Sequence, residues 1–336
     1  MAGSRAVTLR DVAESAGVSV ATASKALNGR DDVGAETRRR VQEAAERLSF
    51  TPNAIARNLA SGQSGTVGLL ASDLDGRFSI PILMGAEDAF GAERMSVLLC
   101  DAREDLIRER HHLQTLLARR VDGLIVVGSR TDPRPSIGRD LPVPVVYAYA
   151  PSDDPADVSL VPDNVGAGVM AVDHLLSLGR RRIAHIRGDV TYAAAHDRIS
   201  GITAALDAAG LELLPPHTFG SWSEAWGRAG ADAILTASPE VDAIICSSDQ
   251  IARGALDTLR DRGVAVPDAV AVVSFDNWEI LATGSRPQVT SIDMNFEALG
   301  RLAAQRVFES IAGGTSPGIE SRPCRLVVRG SSVKGA

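Results

Sequence analysis

Downstream of residue 65, short apolar runs alternate with longer stretches in which apolar residues return every three or four positions. The runs are Val67–Leu70, Val97–Cys100, Leu124–Val127, Val143–Tyr147, Val158–Val161, Ile183–Ile186, Ala243–Cys246 and Val270–Phe275. Between them lie helical patterns such as Asp105–Arg119, Val165–Leu178 and Gln250–Arg262. This rhythm predicts βαβ units, parallel sheets covered by helices. The strands are too many for one comfortable sheet, so two subdomains with a cleft between them are expected.

Residues 1–50 follow a different pattern. Thr8 with Asp11 reads as a capping box opening a helix through Ser15. Ala16-Gly17-Val18 is a tight turn, with Gly17 where a positive φ is wanted. Ser19 caps a second helix that Asn28-Gly29 stops, and a third runs from Ala35 to Leu48 with Val41, Ala44, Ala45 and Leu48 on one face. Leu9, Val12, Ala13, Val18, Ala23 and Leu27 lock the first two helices together, which leaves Ser19, Thr22, Ser24, Lys25 and Asn28 on the free face of the second. Such a helix fits a DNA major groove, where hydroxyls, an amide and an ammonium reach phosphates and base edges. An ordinary helical hairpin is the alternative. Thr51-Pro52 breaks the chain, and Asn53–Ala60 is too short to hold a helix alone. Ser61-Gly62-Gln63-Ser64-Gly65 reads as a linker.

Composition narrows the class. Of the 336 residues, 45% are hydrophobic and 23% charged, values ordinary for a globular protein, which excludes a disordered or collagen-like chain. No apolar run is long enough for a membrane span, and residues 1–10 lack the apolar core of a signal peptide, so a cytoplasmic protein is expected. Cys100, Cys246 and Cys324 lie far apart, which indicates neither a disulfide framework nor a zinc module. The net charge of −7 is uneven: residues 1–62 carry nine Arg or Lys against seven Asp or Glu, so the acidic excess lies in the remainder. A basic end on an acidic body hints at a polyanion partner for the small module.

Catalytic signatures are absent: there is no G-x-x-x-x-G-K-S/T, H-E-x-x-H or G-x-S-x-G, and the histidines show no metal-ligand spacing. Gly166–Ala171 fits G-x-G-x-x-A with Asp189 about 20 residues on, the best case for a nicotinamide-dependent enzyme. Pro162-Asp163-Asn164 separates those glycines from the preceding strand, so Asn164 is read as a helix cap and the glycines as close helix packing. No metal and no cofactor are expected.

The stretch Thr8-Leu9-Arg10-Asp11-Val12-Ala13-Glu14-Ser15-Ala16-Gly17-Val18-Ser19-Val20-Ala21-Thr22-Ala23-Ser24-Lys25-Ala26-Leu27-Asn28 closely resembles the helix-turn-helix of the lactose-repressor (LacI/GalR) family of bacterial transcription factors. Further family-like pieces follow in order: Glu36-Thr37-Arg38, Phe50–Ala60, Asp163-Asn164, His174-Leu175 with Gly179, Arg198 with Gly201, Ser248-Asp249-Gln250, Val273–Asp276 and Val289–Ile292.

The resemblance implies an α/β chain: an N-terminal three-helix helix-turn-helix domain (1–50), a hinge helix and linker (51–62), and an effector-binding and dimerisation body (63–336). That body would be two subdomains of parallel sheets flanked by helices, like the periplasmic sugar-binding proteins, with crossings near 161, 291 and 321. It further implies a ligand-responsive regulator, expected to be a repressor, acting as a homodimer on a pseudo-palindromic double-stranded operator. No leucine heptad tail follows the last strand, so no tetramer of that kind is expected. The implied DNA contacts are Thr8, Ser19, Val20, Ala21, Thr22, Ser24, Lys25, Asn28, Thr37, Asn53, Ala56, Arg57 and Leu59, with Leu59 a wedge at a central CpG step. The implied effector residues are Asp73, Arg77, Phe78, Tyr149, Arg198, Trp222, Ser248, Asp276 and Phe296, a set of polar groups and ring faces that suits a sugar. A sugar hydroxyl is expected between Arg198 and Asp276; local alternatives are Arg198 paired with Asp197 or Asp189, Asp276 capping a turn, and Trp222 in the core. The sequence departs from the family pattern at Val20-Ala21, Ala23, Lys25, Gly34, Ser248 and Gly76-Arg77, where Asn-Pro usually precedes Phe78. A stand-alone sugar- or purine-binding module is the other rival.

Overall fold

The computed structural model describes residues 7–27, 32–50, 63–72, 74, 77–92 and 95–335. Two compact units divide the chain, Met1–Ser64 and Gly65–Ala336. The expected stop at Asn28, the break at Thr51-Pro52, the hinge segment with Asn53, Ala56, Arg57 and Leu59, and Asp73 lie outside the described residues.

The first unit contains α1 (Leu9–Ala16), α2 (Val20–Leu27) and α3 (Ala35–Arg47). Thr8 and Asp11 form the reciprocal capping box: the Thr8 amide donates to Asp11 Oδ2 at 2.7 Å and the Asp11 amide to Thr8 Oγ1 at 3.4 Å. Gly17 ends α1 at φ 65°, and Arg40 from α3 donates to the Ala16 carbonyl, one of the acceptors a helix end leaves open. Ser19 Oγ accepts from the Thr22 amide at 3.0 Å and opens α2. Val12, Ala13, Ala16, Ala23, Ala26, Val41, Ala44 and Ala45 form the core.

In the second unit the apolar rhythm becomes two sheets. The first contains β1 (Thr66–Ala71), β2 (Ser96–Asp101), β3 (Gly123–Val127), β4 (Val145–Ala148), β5 (Val158–Pro162) and β10 (Gly318–Arg322), all parallel, in the order β10-β5-β4-β3-β1-β2. Its helices are α4 (Ser79–Ala92), α5 (Leu106–Ala118) and α11 (Phe296–Ile311). The second contains β6 (Ile183–Ile186), β7 (Ala243–Cys246), β8 (Ala271–Phe275), β9 (Thr290–Asp293) and β11 (Arg325–Val327), in the order β11-β9-β8-β7-β6, with only β11 antiparallel. It is accompanied by α6 (Asn164–Ser177), α7 (Ala193–Ala208), α8 (Glu224–Ala237), α9 (Asp249–Asp261) and the short α10 (Glu279–Ala282). Strands covered on both faces read as continuous apolar runs, and β3, β6, β7 and β8 are buried along their whole length. The chain passes between the sheets three times: from β5 to α6, from β9 to α11, and from β10 to β11.

Three helix pairs pack at backbone distance through reciprocal glycines. A Cβ on Gly85 of α4 would lie 1.9 Å from the Glu297 carbonyl oxygen of α11, and one on Gly300 would lie 2.0 Å from that of Ile82. Gly168 with Gly201 joins α6 to α7 in the same way, and Gly227 with Gly254 joins α8 to α9. This accounts for the G-x-G-x-x-A stretch: Gly168 faces α7, and the Gly166 amide donates to Asp163 Oδ1 at 2.8 Å. The cap of α6 is therefore Asp163 rather than Asn164, and the glycines serve packing, not a pyrophosphate. Among the described residues no helix is long and apolar enough to cross a membrane.

Candidate functional site

On the first unit, packing of Ala23 and Ala26 into the core turns the opposite face of α2 outward. Ser19, Val20, Ala21 and Lys25 are exposed and Thr22 and Ser24 partly so. Thr8 is exposed with its hydroxyl in the cap, and Thr37 is half-buried near the start of α3. The surface offers hydroxyls, two small apolar groups and one cation. Lys25 Nζ lies 2.5 Å from Asp32 Oδ2 with both side chains 54% exposed, so the ammonium is held beside the helix by a pair that water screens.

On the second unit, the loops at the carboxyl ends of the strands meet between the two sheets, where open α/β folds bind ligands. Arg77 and Phe78 precede α4, Tyr149 follows β4 at φ 73°, and Asp276 follows β8 at φ 97°. Such backbone costs about 1–3 kcal/mol for a non-glycine residue and persists where its surroundings enforce it. Here the Asp276 amide donates to the Ile292 carbonyl, the Asn277 amide to Ser291 Oγ and the Trp278 amide to Asp249 Oδ2. Asp249 is the anchor, since it also accepts from the Ser274 and Ser291 hydroxyls. Burial first, and then the charge of Asp276, push its carboxyl up to about 7, against the pull of those donors.

Arg198 is buried on α7, with three of its five N–H groups bonded. Its Nε donates to Asn164 Oδ1 at 2.9 Å, Nη1 to the Ser247 carbonyl and Nη2 to Asp276 Oδ1 at 3.2 Å, with its guanidinium over the Phe275 ring. Asn164 thus orients the arginine. Asp197 and Asp189 accept no hydrogen bond from it, although Asp197 feels its charge, and Arg198 and Asp276 pair directly. Beside this network His185 Nε2 meets Ser247 Oγ at 2.8 Å, and burial pushes its imidazole down to about 3, so it is neutral.

The other Asp276 oxygen faces the opposite lobe. Arg77 Nη2 lies 2.8 Å from Asp276 Oδ2, outside the hydrogen-bonding direction, with the guanidinium between the Phe78 and Trp278 rings at 4.9 and 5.2 Å. This group partitions the cleft. An inner chamber of about 270 Å³ is lined by Tyr149, Tyr192, Arg198, Trp222, Ser129 and Gln250, among others. An outer one of about 580 Å³ is lined by Phe296, Asn277, Asn295, Arg301, Arg325 and Arg329, among others. Arg77, Phe78, Asp276 and Trp278 border both. Two further contacts join the lobes: the Ala193 amide donates to Asp132 Oδ1 at 3.1 Å, and Arg130 stacks over Tyr192 at 4.4 Å.

Of the residues singled out by sequence, Arg77, Phe78, Tyr149, Arg198, Trp222 and Asp276 come together at the inner chamber, and Phe296 joins Phe78 and Tyr149 in an aromatic trio. Ser248 does not line either chamber. It is fully buried, and its hydroxyl caps α9 by accepting from the Ile251 amide. Ser129, Tyr192, Gln250 and Trp278 were missed. The rule that ligands lie beyond strand ends reaches Ser129, just after β3, whereas nothing local marks Tyr192.

Residues 8–53 match the family described as bacterial regulatory proteins, lacI family, and residues 172–332 match the periplasmic binding protein-like domain. The HTH-type transcriptional regulator CelR of Thermobifida fusca is 34% identical over 334 residues, 96% of each chain. A solved complex of a transcriptional regulator CelR with cellobiose superposes with a TM-score of 0.64 at 30% identity, covering 97% of this chain and 100% of that one. The lac repressor dimer bound to operator and the anti-inducer ONPF gives 0.73 at 27% identity, covering 98% and 100%. A reading-helix unit, a two-sheet body with its cleft, and a relative of this identity along nearly the whole chain lead to one assignment: the chain belongs to the lacI family of bacterial regulatory proteins, DNA-binding regulators of transcription.

Proposed function

We propose that this regulator is a cytoplasmic, non-catalytic repressor whose operator affinity is set by a sugar bound between the lobes of 63–336. The observation that carries the reading is the inner chamber, where a buried guanidinium–carboxylate pair is surrounded by the rings of Phe78, Tyr149, Tyr192, Trp222 and Trp278. Charged groups suit sugar hydroxyls and ring faces suit sugar C–H patches. The solved CelR complex contains cellobiose, which supports the class of ligand. The chain acts as a homodimer, because one α2 covers half of a pseudo-palindromic operator. Residues 1–50 read the major groove through Ser19, Val20, Ala21, Thr22, Ser24, Lys25 and Asn28, with Thr8 and Thr37 on the backbone. Segment 51–62 lies in the minor groove, with Asn53, Ala56 and Arg57 along it and Leu59 as the central wedge. A ligand that touches Phe78 on one lobe and Arg198 on the other binds the closed cleft better than the open one, and so shifts the equilibrium between them.

Thermal unfolding against mono- and disaccharides, purines and nicotinamide dinucleotide tests the ligand class; a ligand at 100 times its Kd adds about 2.7 kcal/mol. The hit is then added to an operator gel-shift titration. Release identifies an inducer and tightening a corepressor. Operator binding that no bound ligand alters overturns the reading, and stabilisation by the dinucleotide alone favours the enzyme rival.

A further inference from the structure

We propose that the ligand of the inner chamber is a sugar carrying one anionic group, a carboxylate or a phosphate, and that Arg77 is the residue that selects it. The proposal rests on the reading of this cleft as the effector site and names the chemistry of the effector.

The first ground is charge. The charged groups lining the inner chamber are Arg77, Arg198 and Asp276, two cations on one carboxylate. Arg130, stacked on the lining residue Tyr192, is offset by the carboxylates of Asp189 and Asp132 nearby. The next carboxyl inward, Asp249, is buried, and burial drives it toward its neutral form. Among the described lining residues the chamber therefore holds one surplus positive charge in a place largely withdrawn from water, a costly arrangement until an anion enters.

The second ground is the inventory of donors. Arg198 spends three of its five N–H groups on Asn164, Ser247 and Asp276. Arg77 is only 14% exposed and makes no hydrogen bond to any described residue; its approach to Asp276 is electrostatic and misaligned. The indole N–H of Trp222, also in the lining, is buried without an acceptor. Guanidinium and indole are donor-only groups. A neutral sugar brings hydroxyls that donate as often as they accept, and it leaves this surplus unmet. A carboxylate or phosphate brings only acceptors and matches the guanidinium fork of Arg77 with two parallel bonds. In such a complex the anion faces Arg77 and the hydroxyls face Asp276 and Gln250. At about 270 Å³ the chamber lies just below the usual range of ligand pockets, about 300–1,000 Å³, and suits a single sugar ring.

The test is isothermal titration of the full chain with matched sets: glucose, glucuronate, gluconate and glucose 6-phosphate, then galactose, galacturonate and galactose 6-phosphate. In at least one set an acid is expected to bind about 10- to 100-fold more tightly than its neutral parent, and to weaken as salt is raised. The carboxylate and phosphate arms separate the two sources of charge. Arg77→Gln is expected to erase that ratio of acid to neutral affinity, and Arg77→Lys to keep part of it. Neutral sugars that bind as tightly as their acids overturn the proposal and leave the sugar-effector reading standing. Equal weakening of both by Arg77→Gln overturns it too. Absence of binding by every sugar in the panel overturns the proposal, while the thermal-unfolding screen and operator titration decide the sugar-effector reading separately. The wild-type comparison decides the matter without either variant.

Discussion

Asp249 is expected to give this protein an unusual stability profile on the acid side of neutrality. Its carboxyl is buried under the loop that carries Asp276 and Trp278, and it titrates near 7 instead of near 4. A carboxylic acid whose pKa is raised by folding stabilises fully below its unfolded pKa, and that contribution fades as pH rises through the folded value. Between about pH 4.5 and 6.5 the folded chain holds this proton and the unfolded chain has lost it. The group then lowers stability by at most about 1.4 kcal/mol for each pH unit across that window, and the loss ends once the folded carboxyl is ionised. Asp249→Asn removes the titration; with its oxygen toward the Trp278 N–H, its amide NH2 faces the Ser274 and Ser291 hydroxyls, which then accept rather than donate. Urea unfolding of both proteins at half-unit steps from pH 4.5 to 8 isolates the term. The stability of the wild type minus that of the variant should fall steadily with rising pH and level off above 7. Parallel curves would show that Asp249 is ionised in the fold throughout, held so by Ser274, Ser291 and the Trp278 amide.

Gly300→Ala should destabilise the body by about 1–3 kcal/mol or more in urea unfolding, because its Cβ has to displace the Ile82 carbonyl; a change below about 0.5 kcal/mol would mean that α4 and α11 separate freely. Gly34→Ser should do the reverse in the first unit: Gly34 starts α3 without a side-chain cap, at φ −56° and with open space around it, so a gain of about 0.5–1 kcal/mol is expected in thermal unfolding, and no gain would rule out the cap. Lys25→Ala should cost about 1–3 kcal/mol on the cognate operator and relax base preference at one position per half-site in gel shifts. A uniform loss across sequences with a shallower salt dependence would make Lys25 a phosphate contact instead.

The elements that could be read from sequence are those whose cause is local. Thr8 and Asp11 stand three residues apart and need nothing else to form their box. The strands β3, β6, β7 and β8 are apolar throughout because helices cover both faces. β10 escaped because it is an edge strand, with Ile319, Glu320 and Arg322 turned partly to water and no apolar run to mark it. Asp163 and Asn164 were both competent caps for α6. What decided between them was Arg198, 34 residues on, which claimed the Asn164 amide. The Asp276 pairs had the same difficulty in stronger form: its arginines lie 78 residues before it and on the other lobe, and only the folded chain brings them to one carboxylate. Ser248 shows the limit of family likeness, since a side chain at a pocket position can turn inward and cap its own helix.

The contacts that join the lobes also carry a consequence for time. Arg77 with Asp276, Asp132 with the Ala193 amide and Arg130 with Tyr192 cross from one sheet to the other around a chamber that lies behind them. A ligand that touches both lobes adds to these contacts, so its departure is coupled to the opening of the cleft and its residence time to their number.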